Sequence, residues 1–539
     1  MGSIAFRNGT VWRGRDLADT DRLLVVDGHI QPWRGDRGVE HTVDLEGGFL
    51  APGFGDGHAH PILAGLEQNG PQIRGARSVP EIVETVGEWA RAHPGDDWIV
   101  AASYDATLTP SGLFDAQWLD AAVPDRPVLL RSWDYHSVWC NTRALELAGI
   151  DRDTPQPKLG QIPRRADGEA MGTLFEWGAV TLAMQAAPPF SLEAGVAALD
   201  FATHHLAAQG VTWIQDAWVD PDDIEIWLAA EQQGVLACRA DLALRADPLR
   251  WAEQRTQLAA QRARIEATQS LTCRTIKFFV DGIVENHTAH LLHEYSDACT
   301  RGMEVWKQDQ LLAAAAYVDA LGFELHMHTT GDAGARSALD AVEHIIAVNG
   351  PRNRRPVIAH AQLVDDADLP RFAELGVIAC FQPLWATNDD VMQVLTLPRL
   401  GIERGHRQYR IRTLMQSGAP LSFGSDWPVT SADVLAGLQT AVTRARSDGT
   451  PLGGWMPEER IDITAALDVV TRGVAYQAGA ETRRGQLGDG YEADLVWLSA
   501  DPRKLPADKL TSVKVLGTWV AGTPTYQFPA GVSTTPADA

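Results

Sequence analysis

The stretch GFGDGHAHP, from Gly53 to Pro61, carries His58 and His60 one residue apart behind a run of glycines. In an extended strand residues i and i+2 share a face, so the two imidazoles converge on one point, as two ligands of one metal ion do. A lone His-x-His is weak evidence. The chain offers more: Lys277 in TIKFFVDG, His328 in LHMHTTGD, His360 in VIAHAQ and Asp426 in FGSDWP. Each closes an apolar run and precedes a helix-compatible stretch. Taken singly, His360 reads as a core histidine, Asp426 as a turn or cap residue, and Lys277 as a snorkelling cation. Together they are nitrogen and carboxylate donors of the kind that suit zinc and similar divalent metals.

Such residues meet only if the elements bearing them are arranged in register. Eight short apolar runs alternate with helical segments: GGFLAPGFGDGHAH, GVTWIQDAW, CRADLALRA, CRTIKFFVDG, GFELHMHTTGD, RPVIAHAQ, GVIACFQP and APLSFGSDWP. This is the rhythm of βα units, and eight of them close into a (β/α)8 TIM-type barrel, whose chemistry sits at the C-terminal strand ends. Every candidate above falls at such an end. Both chain ends are β-rich with NG, DG and GG turn signals, which predicts a small β-sandwich domain built from residues 1–51 and 480–528. The barrel is expected over 52–67 and 201–479. Residues 68–200, with their own strand and helix patterns, read as an inserted α/β cap domain. The tail PAGVSTTPADA after Phe528 is polar and reads as frayed.

The 539 residues exceed one ordinary core. A net charge of −24 argues against nucleic acid or an anionic membrane as partner. No apolar run reaches membrane-spanning length, and the N-terminus lacks the pattern of a signal peptide. Five scattered cysteines without any C-x-x-C argue against a disulfide framework and fit a reducing cytoplasm. A small-molecule substrate is the expected partner. A homodimer is the default among assemblies.

The motifs LAPGFGDGHAHP, IKFFVDGIVENHTAHLLHEY, LHMHTTGDAGARSALDAVE, IAHAQLVDDADLPRF, GSDWPV and GQLGDGYEADLV resemble the amidohydrolase superfamily, in particular its amidohydrolase-3 group. The cap segments DYHSVWCNTRALELAGI and GEAMGTLFEWG are similar to the same group, so the resemblance runs from about residue 4 to 525. It implies a hydrolase with two divalent metal ions, most simply zinc. It implies that His58, His60 and Asp426 hold one metal, that His328 and His360 hold the other, and that a carboxylated Lys277 bridges them. His326 also ends the fifth strand and is the alternative to His328, which matches the His-x-x-Gly-Asp position. A bound divalent cation lowers the pKa of water from about 15.7 towards 7 and polarises a carbonyl. Asp426 is placed as the general base and acid that moves the proton from water to the leaving nitrogen.

Candidate substrate contacts are His136, Trp139, Glu176, Trp177, His290, Trp385 and Trp427, with Trp133 nearby. His287, His290 and His293 depart from the group's usual pattern and read either as polar loop residues or as substrate contacts. For His136 and Asn141 the plain reading is a local hydrogen bond that shapes the cap. Tryptophans near strand ends favour an apolar or aromatic substrate. The leading reading is hydrolysis of a C–N bond of amide, formamide or carbamate type. Deamination of a cyclic amidine, and ester, lactone or decarboxylation chemistry on the same site, stay open, as does a metal-binding scaffold without turnover.

Overall fold

The computed structural model describes residues 2–35, 38–95 and 97–527; the polar tail after Phe528 lies outside them. Eight parallel strands form the central barrel: Phe54–Ala59, Val211–Val219, Arg239–Ala246, Leu271–Phe279, Glu324–Thr329, Val357–His360, Ile378–Phe381 and Leu421–Phe423. Each falls on a run read from the sequence, except that GGFLAPGFGDGHAH breaks at Gly53: only Phe54–Ala59 enters the barrel, and Phe49–Pro52 joins the terminal sheet. The side chains of the barrel strands are buried almost throughout, as expected of parallel strands covered on both faces. Lys277 on the fourth strand pairs with His326 on the fifth, Phe279 with His328, and Thr329 with His360, so the chemical side chains stand at adjacent levels.

The ladder runs from the first strand to the eighth, and the loop beyond the eighth completes the ring. Asp426 N donates to His58 O at 2.7 Å, and His60 N donates to Trp427 O at 2.8 Å. Buried Asp56 fastens this seam, accepting Ser425 N at 2.9 Å and His58 N at 3.1 Å. The approach is so close that a Cβ on Gly424 would lie 2.5 Å from His58 N. Outer helices present one apolar stripe inward. Asp332–Asn349, for example, buries Ala335, Ala338, Leu339, Val342 and Ile345.

The terminal segments form one eight-stranded sheet, in which Phe49–Pro52 pairs antiparallel with Leu495–Leu498 and so ties the two chain ends together. Phe6 and Trp519 lie on strands separated by two others, yet their rings meet edge to face at 5.2 Å. The sheet therefore curls round its own core: the terminal segments form one continuous sheet where a sandwich of two was expected. Its Asp27-Gly28 turn has φ of 49° and 80°, as a two-residue hairpin requires. Asn8-Gly9, read as a turn, is instead a bulge inside strand Ser3–Val11, where pairing passes from 41–44 to 49–50.

The insertion carries a separate four-stranded sheet of Ile99–Tyr104, Val128–Ser132, Ser137–Cys140 and Thr173–Phe175. The run RPVLLRSWDYHSVWC is thus two antiparallel strands, and their connecting turn, Trp133 to His136, overhangs the barrel mouth. Helix Leu192–Ala208 runs without a break through position 200, and its Val196, Leu199 and Leu206 belong to the barrel core. Among the described residues no helix is long and apolar enough to cross a membrane.

Candidate active site

His58, His60, Lys277, His326, His328, His360 and Asp426 are all buried at the barrel mouth. His58 Nε2 lies 3.5 Å from Lys277 Nζ and 3.4 Å from Asp426 Oδ1, and His60 Nε2 lies 3.0 Å from the same oxygen. The His58 and His360 rings are 4.9 Å apart, and those of His360 and His328 4.6 Å. Two of these residues sit where the backbone turns sharply: φ is 71° at His360 and 54° at Asp426. Non-glycine residues held at positive φ are costly and cluster at functional sites.

The far edges of several rings are held from behind. His58 Nδ1 bonds His326 Nε2 at 2.8 Å, and His360 Nδ1 bonds Gln382 Oε1 at 2.7 Å. Asp281 Oδ1 stands 3.4 Å from His328 Nδ1, while that carboxylate also accepts the backbone N–H groups of His290, Thr330 and Gly331. This is how metal-ligating histidines are oriented: the outer nitrogen is occupied and the inner one points into the site. His326 sits behind His58 in this arrangement.

Burial, and then the neighbouring cations and rings, push the imidazoles of His58, His326 and His328 well below their ordinary range, and burial brings His360 to about 4. They are neutral, the form that ligates a metal. Burial likewise lowers the Lys277 ammonium to about 7. Asp426 Oδ1, His60 Nδ1 and His328 Nδ1 are buried without a well-formed hydrogen bond, and such orphans are costly inside a protein. Donor atoms of His58, His360 and Asp426 all fall within 4.8 Å of one another. Neutral imidazoles converging on one carboxylate oxygen, with His60 Nε2 3.0 Å and His58 Nε2 3.4 Å from it, fit a divalent cation.

Above these residues opens a cavity of 340 Å³. Of the contacts read from the sequence, His136, Trp177 and Trp385 line it, with Trp133 beside them. The others do not. Trp139 is fully buried in the cap, donating to Asp115 O and packed on Tyr104, Phe114 and Trp118. Trp427 stacks on His205 at 4.8 Å, against helix Leu192–Ala208, because the backbone turn that aims Asp426 inward sends its neighbour outward. The His290 ring lies away from the cavity, near Glu304 and Asp332, and only its backbone serves the site, through Asp281. Glu176 stands behind His136 and meets no cavity surface. Asn141 caps helix Thr142–Leu147 and bonds Val128 N. His287 pairs with Asp297 at 3.0 Å, and His293 is exposed. Both are loop residues.

The cavity also holds Trp218, Phe279, Tyr135 and Tyr409, none of which the sequence marks as a substrate contact. Two carried a legible signal. Trp218 ends the second barrel strand, and Phe279 stands two residues after Lys277 on the same face. Tyr135 and Tyr409 sit at φ of 63° and 48° in turns whose direction no periodicity records.

Residues 41–526 match the amidohydrolase family. The chain belongs to that family. As an amidohydrolase it is a hydrolase, and it has close company. It is 30% identical to protein LONG AFTER FAR-RED 3 of Arabidopsis thaliana, over 97% of this chain and 88% of that one. It is 25% identical to N-substituted formamide deformylase of Arthrobacter pascens, over 90% of each. A crystal structure of an uncharacterized metal-dependent hydrolase from Pyrococcus horikoshii shares the fold at a TM-score of 0.74 and 24% identity, covering 94% of this amidohydrolase and 99% of that chain.

Proposed function

We propose that this amidohydrolase cleaves a carbon–nitrogen bond of amide, formamide or carbamate type in a small apolar or aromatic organic substrate. The observation that carries the reading is the convergence of His58, His360 and Asp426 beneath an aromatic-walled cavity. His58, His60 and Asp426 would hold one divalent ion, and His328 and His360 a second; nitrogen and carboxylate donors favour zinc. Ions held there supply Lewis acidity, which acidifies water and polarises a carbonyl.

The chain's own groups do the rest. The Asp426 carboxylate, through the oxygen not given to the ion, takes the proton of the attacking water and returns it to the leaving nitrogen. Lys277, wholly buried and readily neutral, reacts with carbon dioxide: its nitrogen forms a bond to the carbon and loses a proton. The resulting carbamate places oxygen donors where an ammonium would repel cations. Trp133, Trp177, Trp218, Trp385 and Phe279 exclude water and receive an apolar or aromatic group. The deformylase relative makes N-substituted formamides the first compounds to try.

The test joins metal analysis to turnover of a panel: N-benzylformamide, simple amides, carbamates, esters and cyclic amidines. The expected result is about two divalent ions per chain, with hydrolysis of a formamide, amide or carbamate. Full activity in a metal-free preparation, or deamination alone, overturns the reading.

A further inference from the structure

The metal-side residues all come from the barrel, but a histidine lining the cavity beside them comes from the cap. His136 ends the turn between cap strands Val128–Ser132 and Ser137–Cys140, is 6% exposed, and its ring lies 5.3 Å from that of His328. The turn is clamped at each residue. Asp134 Oδ1 accepts His136 N at 2.7 Å, and Tyr135, at φ 63°, donates its hydroxyl to Glu67 Oε1 at 2.6 Å. His136 O in turn accepts Glu176 N at 2.7 Å.

Glu176 fixes the ring itself. Its Oε2 lies 2.8 Å from His136 Nδ1, and its Oε1 accepts the hydroxyl of Thr288, on the loop that follows the Lys277 strand. That loop makes room for the carboxylate with a glycine, since a Cβ on Gly282 would stand 2.6 Å from Glu176 Oε1. Glu176, fully buried, is itself held at φ 58°, a costly conformation for a residue that merely filled space. With a carboxylate on Nδ1, that nitrogen carries the proton and donates, and Nε2 is the edge left for the cavity. An ordinary buried His–Glu pair has no need of a free edge over a reaction centre.

We infer that His136, resting on the C–N hydrolysis proposed above, is a catalytic residue that donates a hydrogen bond from Nε2 to the substrate oxygen as charge develops on it, with Glu176 as its positioning residue. The charge develops when water adds to the carbonyl carbon, and a donor already aimed at that oxygen needs no reorganisation at the moment of reaction. Glu176, bonded to Nδ1, fixes the ring so that Nε2 is the edge presented to that oxygen. The arrangement also makes catalysis depend on the cap's seat on the barrel, because Glu176 bridges the two through Thr288.

The experiment compares the metal-loaded wild type with His136→Ala, His136→Gln and Glu176→Gln, on the best substrate of the panel. His136→Ala is expected to lower kcat by about 10²- to 10³-fold, the usual loss for one such donor, with KM and metal content unchanged. His136→Gln keeps an N–H near the Nε2 position and is expected to recover part of the loss; Glu176→Gln falls between wild type and His136→Ala. A second readout needs no turnover: binding of N-benzyl methylphosphonamidate, a tetrahedral anion, weakens in His136→Ala in step with kcat, while binding of a neutral unreactive amide does not. Metal loss in His136→Ala would make it a ligand and overturn the inference. So would a raised KM at unchanged kcat, equal weakening of both analogues, or an unaffected phosphonamidate. A metallated wild type inert towards every C–N substrate defeats the function itself, whereas an active wild type with an equally active His136→Ala defeats only this inference.

Discussion

At the N-terminal end of the barrel, Asp241 accepts Gln215 Nε2 at 3.0 Å, Arg274 N at 3.0 Å and the hydroxyls of Thr272 and Thr275. Nearby Asp319 takes two bonds from Arg354, at 2.7 and 2.8 Å, with Arg352 and Asn349 each at 2.8 Å. At the opposite end, Asp426 is as deeply buried, yet its Oδ1 accepts no well-formed bond, and two histidine nitrogens beside it are orphaned too. Native proteins satisfy almost every buried polar group, so a cluster of loosely bonded donors round one carboxylate stands apart from the densely bonded Asp241 and Asp319. The base uses buried carboxylates to hold strands together. The mouth gathers donors that could hold a metal ion, an arrangement that on its own costs local stability. Function at the C-terminal ends and stability at the N-terminal ends is the division expected of this barrel.

Mouth and base should fail in opposite ways when a side chain is removed. His58→Ala, or removal of metal with a chelator, is expected to abolish turnover while the stability of the metal-free protein stays near that of the metal-free wild type. Metal content by elemental analysis, kcat and a urea melt of the apo forms check it. An active His58→Ala enzyme, or one that unfolds like a core mutant, would erase the distinction.

Asp319→Ala should do the reverse. Removing one partner of a buried ion cluster strands the others, at about 3–5 kcal/mol, with kcat/KM and metal content unchanged. Burial alone would raise the pKa of Asp319, but the bonds from Arg354, Arg352 and Asn349 outweigh it and hold the group at about 2. A folded pKa below the ordinary carboxylate value of about 3.9 adds stability that is complete above that value and disappears as pH falls towards 2. Denaturation midpoints between pH 2 and 5 should therefore converge for wild type and variant as the solution becomes acid. A constant gap between them would show that the bonds to the arginines contribute nothing to it.

The same contrast separates what the sequence makes legible from what it hides. The barrel was legible because parallel buried strands are short, apolar and evenly spaced, and His58, His60, Lys277, His328, His360 and Asp426 were legible because they end such strands. Residues acting from behind leave no such trace. Asp281, Gln382 and Asp56 look like ordinary polar residues next to a strand, and their value lies in contacts across tens or hundreds of positions. The tryptophans failed for a related reason. Trp139 and Trp427 lie as near to motifs in sequence as Trp177 and Trp385 do, but strand alternation and a single positive-φ turn decide which side each ring takes. Proximity in sequence carries no direction.

The smallest expected effect probes the boundary between the two behaviours, at a residue that is fully satisfied yet serves the open site. Gln382 is 1% exposed; its Oε1 bonds His360 Nδ1, and its Nε2 reaches Cys380 O at 3.4 Å. The bond keeps the proton of His360 on Nδ1 and so leaves Nε2 free to ligate, while Trp385, stacked on the ring at 4.9 Å and 3° between planes, blocks its rotation. Gln382→Leu preserves volume and apolar packing, so global stability should change little. It leaves His360 Nδ1–H buried without an acceptor, which favours the other tautomer. Metal affinity should fall by about 10- to 100-fold, the usual cost of losing such a partner. Trp385→Leu should leave the tautomer alone and act mainly on KM for aromatic substrates. Competitive chelator titration separates the two variants: equal losses of metal affinity would mean that ring packing, not the hydrogen bond, holds His360 in place.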